Sequence, residues 1–461
     1  MPGRGRSASL LRGNRRRCGA TPPHPWTRVG FAPRRPSRHN PPLAPAGVRM
    51  NQPQDGILPA NAPPAGDPTA RQWLHYGDAI RIVAPIAVII GHVADMYLFD
   101  WWFKADAGVW RKPPDADWRV CNYANALTRW AVPLYIMLSG AVLLRPASKG
   151  TVWNFYWRRV SRVGFPLLLW APLYMWFDAE YARWTTWDGA WMNLLKGMPY
   201  AHLHFLFVVL GLYAITPMLR LFIATTSRRM LAGAVVIALV LAAANSWACV
   251  KLNTPLNAFN RFMPFIGYFL AGYLLRDVRV GRLGLLACAA AATGMVWLLA
   301  AITEHYTLTC GIAPYPSWSM LAYDFVSAPR IVYSLLVWVI FVNLFRGPFA
   351  TAGPARWWRV ELTACTMGVY LLHPLIRDVM FLEADPKRAR LPAVLADLRQ
   401  WAPSLADWLN DRIPVRHFQA AGWENMVVGV AAVSAMVYLP SLLLSMGLRR
   451  IPLIGRAIGW S

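Results

Sequence analysis

The sequence predicts an all-α polytopic membrane protein, a bundle of about ten transmembrane helices with both termini in the cytoplasm. Three observations predict it. First, 56% of the 461 residues are hydrophobic and only 15% are charged, a balance outside that of ordinary soluble domains. Second, apolar runs alternate with short connectors after residue 70, and most runs approach the ~20 residues needed to cross a bilayer. Third, Lys and Arg segregate. Alternate connectors hold 17 of them and the intervening short loops hold 8, and the richer side faces the cytoplasm. The net charge of +25 is thus membrane topology on an acid-poor chain, and nucleic acid is not an expected partner. Composition also excludes disorder for most of the chain, a fibrous repeat and a disulfide-rich secreted module. The six Cys show no metal-ligand spacing, so no metal is expected.

Residues 1–70 read as a disordered Arg/Pro-rich tail, since the first 50 hold eleven Arg and no Asp, Glu or Lys. Met50 precedes a polar linker and is the expected native start. Residues 71–450 form the membrane domain. Its apolar runs fall at about 79–98, 128–144, 163–178, 203–223, 230–248, 262–275, 283–302, 325–345, 362–381 and 426–446. The runs 163–178 and 262–275 are short and are expected to be tilted, extended or re-entrant. Segment 382–425 carries Pro, Trp and mixed charge and reads as short amphipathic helices on the outer face. Residues 451–461 form a short cytoplasmic tail.

Ionisable residues inside apolar helices are costly, so each is a candidate functional group. In the first helix Arg81 and His92 are eleven residues apart, about 16 Å along the axis and about 20° around it. They share one face. Asp95 follows one turn later and could hold the His92 imidazole in one tautomer. In the second helix Pro133 should kink the chain and free a carbonyl. Ser139-Gly140 reads as a close helix contact rather than a nucleophile. Arg159 and Arg162 are i,i+3 neighbours, suited to a phosphate by bidentate bonding, although they also serve topology. His202-Leu-His204 opens the fourth helix. His373 lies within the ninth helix, where it could assist catalysis or be structural. Arg330 is expected to snorkel, and Glu361 to sit at a helix start, where an acid suits the dipole. There is no Walker A loop, nucleotide-binding glycine cluster or lipase-type nucleophile elbow.

Several of these strings fall into one order. They are Asp78–Arg81 with His92, Val132-Pro-Leu-Tyr-Ile-Met-Leu-Ser-Gly140, Arg158-Arg-x-x-Arg162, and His202-Leu-x-Phe-Leu206 leading to Gly211-Leu-Tyr-x-x-Thr-Pro217. Gly267-Tyr-Phe-Leu-x-Gly-Tyr273 and Gly368-Val-Tyr-Leu-Leu-His-Pro374 follow. In this order, across about residues 72–448, the chain resembles the membrane acyltransferase type 3 family, bacterial integral-membrane O-acyltransferases. It is similar in length to members that O-acetylate enterobacterial common antigen. The resemblance implies a ten-helix bundle in the bacterial inner membrane. That bundle would take an acyl group, usually acetyl, from cytoplasmic acyl-CoA to a glycan or lipid-linked sugar. The chain departs from the family pattern at His204, Tyr135, Val93 and Pro85. With so little chain after residue 446, no extracytoplasmic esterase-like domain is expected there.

On this resemblance Arg159 and Arg162, with Arg81, would bind the CoA phosphates. His92 would act as general base or as acyl-accepting nucleophile, oriented by Asp95, with His373 behind it. The rival expectation is a multipass transporter or flippase without acyl transfer. It too would need broken helices and buried polar groups.

Overall fold

The computed structural model describes residues 69–106, 115–145, 151–181, 185–252, 256–310, 321–347, 351–381 and 423–451, with the single positions 349 and 455. The Arg-rich tail up to residue 68, the start at Met50, most of segment 382–425 and nearly all of the tail 451–461 lie outside them. Among the described residues every regular element is helical. The helices are α1 (Thr69–Asp106), α2 (Ala116–Thr128), α3 (Ala131–Leu143), α4 (Val152–Trp176), α5 (Trp187–Leu195) and α6 (His204–Thr225). They continue with α7 (Arg228–Leu252), α8 (Ile266–Leu274), α9 (Arg282–Cys310), α10 (Ala328–Leu344), α11 (Gly353–Phe381) and α12 (Trp423–Leu448).

Six stretches are long and apolar enough to cross a membrane: His75–Leu98, Ala116–Leu143, His204–Thr225, Arg228–Leu252, Arg282–Thr309 and Met426–Leu448. Met263–Leu274 and Ala328–Leu344 are apolar but shorter. Large apolar side chains such as Leu168, Met218 and Leu283 point outward. An apolar outer surface of this kind is stable only in lipid.

The structure corrects the region before residue 128, expected as an outer loop. α2 occupies it and continues into α3 across a break at Arg129-Trp130. The sequence explains the break. Pro133 has no N–H, so the carbonyl of Arg129, four residues earlier, has no helical partner. Arg330 Nε donates to that oxygen at 2.8 Å, and its Nη1 donates to Tyr323 O at 2.5 Å. Arg330 is 2% exposed, so the snorkelling expectation fails: the guanidinium is drawn inward by the Arg129 carbonyl that the break leaves free and by the Tyr323 carbonyl in the turn before α10.

α4 begins three turns before the predicted run, capped by Thr151, whose Oγ1 accepts from Asn154 N at 3.2 Å. Arg159 and Arg162 therefore sit on a helix rather than in a connector. α11 also starts early, at Gly353, so Glu361 is two turns inside it. There Glu361 pairs with Arg449 at the end of α12, and not with a helix terminus.

The closest packing is between α3 and α8. A Cβ on Gly140 would lie 2.7 Å from the Phe269 carbonyl carbon, and one on Gly272 would lie 2.6 Å from Met137 Cα. The two backbones touch because glycines face each other's chain. In lipid, where burial of apolar area does not drive helices together, such contacts supply the packing. This bears out the reading of Gly140 as a helix contact. The Ser139 hydroxyl is spent on Tyr135 O at 2.9 Å.

Candidate active site

α1 packs against α2, α3, α11 and α12, which brings the Arg81–His92 face to the middle of the bundle. Asp78 fixes its near end. It accepts from Arg359 Nη1 of α11 at 2.7 Å and from Arg81 Nη1 at 3.3 Å. Thr366 Oγ1 donates to Arg81 O at 3.1 Å.

A cavity of about 510 Å³ opens between α1, α3, α4, α6 and α11. Arg81, Arg159 and Arg162 line it, and so do His92, His202 and His204. It thus joins a guanidinium end to an imidazole end, with Val88, Leu138 and Phe205 among the apolar walls between. At the first end the Arg159 guanidinium lies 5.8 Å from the Phe155 ring. Its Nε is buried with no partner among the described residues. Arg220, which the sequence did not single out for the site, stacks on the same ring at 4.8 Å and reaches Leu143 O at 2.7 Å. A cluster of guanidinium groups at a cavity mouth is suited to a polyanion.

At the other end three histidines from three segments converge. The His92 and His373 ring centroids are 5.5 Å apart, and those of His373 and His202 are 5.8 Å apart. His373 Nδ1 lies 3.0 Å from Val369 O and His204 Nδ1 lies 2.7 Å from Ala201 O. A carbonyl only accepts, so Nδ1 carries the hydrogen in both. Their Nε2 atoms then carry lone pairs, and both are buried without a partner among the described residues. His92 makes no hydrogen bond there either.

His373 is held in place by a break in its own helix. Pro374 opens the α11 ladder, and the Tyr174 hydroxyl of α4 inserts into it. That hydroxyl donates to Leu371 O at 2.6 Å and accepts from Leu375 N at 3.2 Å. Beyond it Asp378 accepts from Arg377 Nε at 2.6 Å and from the Tyr200 hydroxyl.

Of the residues expected from sequence, Arg81, His92, Arg159 and Arg162 share the cavity, and His373 stands against His92. Asp95 does not join them. Its carboxylate accepts from Arg129 Nη2 at 2.7 Å and from the Asn125 amide, not from His92. The guanidinium at the α2–α3 break is the nearer and stronger partner, and it turns Asp95 toward α2. Among the described residues no three His, Cys, Asp or Glu side chains are arranged to hold a metal ion. The sequence marks His202 without giving it a role, because only the fold shows that its ring reaches His373. It carries no signal for Tyr174, which acts on a backbone 197 residues away.

A family model described as an acyltransferase domain matches residues 74–445, nearly the whole helical region from α1 to α12. No curated protein and no solved structure matches the chain. The family match covers well over half of the sequence, and the membrane helices and the cavity fall within it. The chain belongs to the membrane acyltransferase type 3 family.

Proposed function

We propose that this acyltransferase is a multipass enzyme of the bacterial cytoplasmic membrane. It moves an acyl group, acetyl in the first instance, from cytoplasmic acyl-CoA to a sugar hydroxyl of a cell-envelope glycan. Enterobacterial common antigen is the acceptor class that the resemblance names. The six long apolar stretches, with α4, α8, α10 and α11, then make ten crossings with both termini in the cytoplasm. One observation carries the reading: a single cavity joins a guanidinium cluster to a histidine cluster. Acyl-CoA has the matching shape, with phosphates at one end and a thioester at the end of a narrow arm. Arg81 and His92 are about 16 Å apart along α1, a length that an extended pantetheine arm spans.

In this reading Arg159, Arg162 and Arg81 hold the phosphates. The His92 imidazole takes the proton of the sugar hydroxyl while the sugar oxygen attacks the thioester carbonyl. The carbon–sulfur bond breaks, and the departing thiolate takes the proton from His92. General-base catalysis of this kind is typically worth 10²–10⁴-fold in rate. His373 offers an Nε2 lone pair beside His92, the supporting place that the sequence suggests for Asp95.

The test is transfer of radiolabelled acetyl from acetyl-CoA to the envelope glycan in isolated membranes. His92→Ala should reduce transfer by at least 10²-fold with the protein still inserted at normal level. Arg159→Ala should weaken acetyl-CoA binding. Near wild-type transfer by His92→Ala would defeat the catalytic assignment. Donor binding unchanged in both Arg159→Ala and Arg162→Ala would defeat the donor site.

A further inference from the structure

His202 is 3% exposed, lines the cavity, and has neither ring nitrogen hydrogen-bonded among the described residues. A neutral imidazole always carries one N–H and one lone pair. A buried imidazole with both unused is expensive in a folded protein and calls for a ligand. Acyl transfer, the reading this inference rests on, needs a hydrogen-bond donor for the negative charge that develops on the carbonyl oxygen.

Several neutral donors of the site are already committed. His373 and His204 commit Nδ1–H to backbone carbonyls. The Tyr370 hydroxyl donates to His202 O, which also fixes the His202 backbone. Ser139 and Thr366 donate to backbone carbonyls as well. His202 and Tyr135 are neutral groups that keep their donors, since the Tyr135 hydroxyl is likewise buried without a partner among the described residues. The Tyr135 ring packs on Phe205 at 6.2 Å. The His202 ring is 5.8 Å from His373, itself 5.5 Å from His92. We propose that His202 is a catalytic residue, whose N–H holds the oxyanion formed on the thioester carbonyl. The tetrahedral intermediate has the same oxygen in the same place whether the sugar oxygen or His92 attacks first. When it collapses, the carbonyl reforms, the thiolate leaves, and His202 has neither gained nor lost a proton.

The experiment uses the full chain in nanodiscs, with ¹⁴C-acetyl-CoA as donor and the producing strain's envelope glycan fraction as acceptor. His202→Leu should reduce turnover by about 10²–10³-fold with CoA binding unchanged. His202→Gln, which keeps an N–H donor, should recover at least a tenth of wild-type turnover, and it carries the test if His202→Leu does not insert. Wild-type turnover in His202→Leu would overturn the assignment, and so would loss of CoA binding alongside turnover. A His202→Gln enzyme as inactive as His202→Leu would do the same. Turnover lost in Tyr135→Phe but kept in His202→Leu would move the oxyanion donor to Tyr135. Absence of any transfer by the wild-type protein would instead remove the acyl-transfer reading itself.

Discussion

Replacing Gly140 by alanine tests whether backbone contact between α3 and α8 holds the cavity wall. The new Cβ would lie 2.7 Å from the Phe269 carbonyl carbon, where ordinary contact begins at 3.4 Å, and the carbonyl oxygen is nearer still. Both sides of the clash are backbone, so no side chain can swing away. α3 and α8 must part by roughly 1 Å, which loosens their whole interface. Overpacking of this kind costs about 1–3 kcal/mol, occasionally more, and two opposed backbones put Gly140→Ala at about 3 kcal/mol. α3 also lines the cavity through Val132, Tyr135 and Ser139. A displacement of about 1 Å there can lower the reaction rate by about 10²-fold. The control is Gly233→Ala in α7, where a Cβ meets nothing within 4 Å. Alanine is about 1 kcal/mol the better helix former, so this variant should be neutral or slightly stabilised. The assay is thermal unfolding of both purified variants, followed by the transfer rate. Gly140→Ala should melt several degrees below wild type and Gly233→Ala should not. Equal melting of the two would refute the backbone-contact argument.

Arg330→Met removes the donor to two buried carbonyls and should destabilise the protein by about 2–4 kcal/mol, since charged hydrogen bonds contribute about 1.5–3 kcal/mol each. Arg330→Lys should not restore stability, because an ammonium lacks the planar fork that reaches both oxygens; melting curves decide. Tyr174→Phe leaves Leu375 N and Leu371 O without their bridge. It should lower transfer about tenfold or more by releasing His373, with a stability loss of only about 1–2 kcal/mol, intramembrane hydrogen bonds averaging about 0.6 kcal/mol. An unaltered transfer rate would mean that the bridge does not position His373. Asp95→Asn should reduce stability by weakening the Arg129 pair, with activity lost in proportion to folded protein. A large drop in turnover per folded molecule would return Asp95 to the catalytic group.

Much of the bundle was legible because its causes are local. Each predicted apolar run falls on a helix. The break before Pro133 follows from one missing N–H, and the close approach at Gly140 from one missing Cβ. The boundaries of α4 and α11 were not legible. Their opening stretches mix Trp, Asn and Arg among few aliphatic residues, so hydropathy alone starts the helix too late. α2 was hidden for the same reason: Asp117, Arg119, Asn122 and Asn125 dilute its apolar signal.

The candidate site divides along the same line. Sequence by itself determined that Arg81 and His92 share a face, and that Arg159 and Arg162 are one turn apart. Both follow from helical periodicity within a single segment. Only the tertiary structure decided that these two groups open into one cavity, that His373 and His202 stand beside His92, and that Asp95 turns to Arg129. It also decided that Arg330 is buried, meeting a carbonyl 201 residues away. The physical reason is the bilayer setting. A carbonyl freed at a helix break cannot turn to water there, so its partner comes from another helix, as Arg330 does for Arg129, and periodicity within one helix does not specify which.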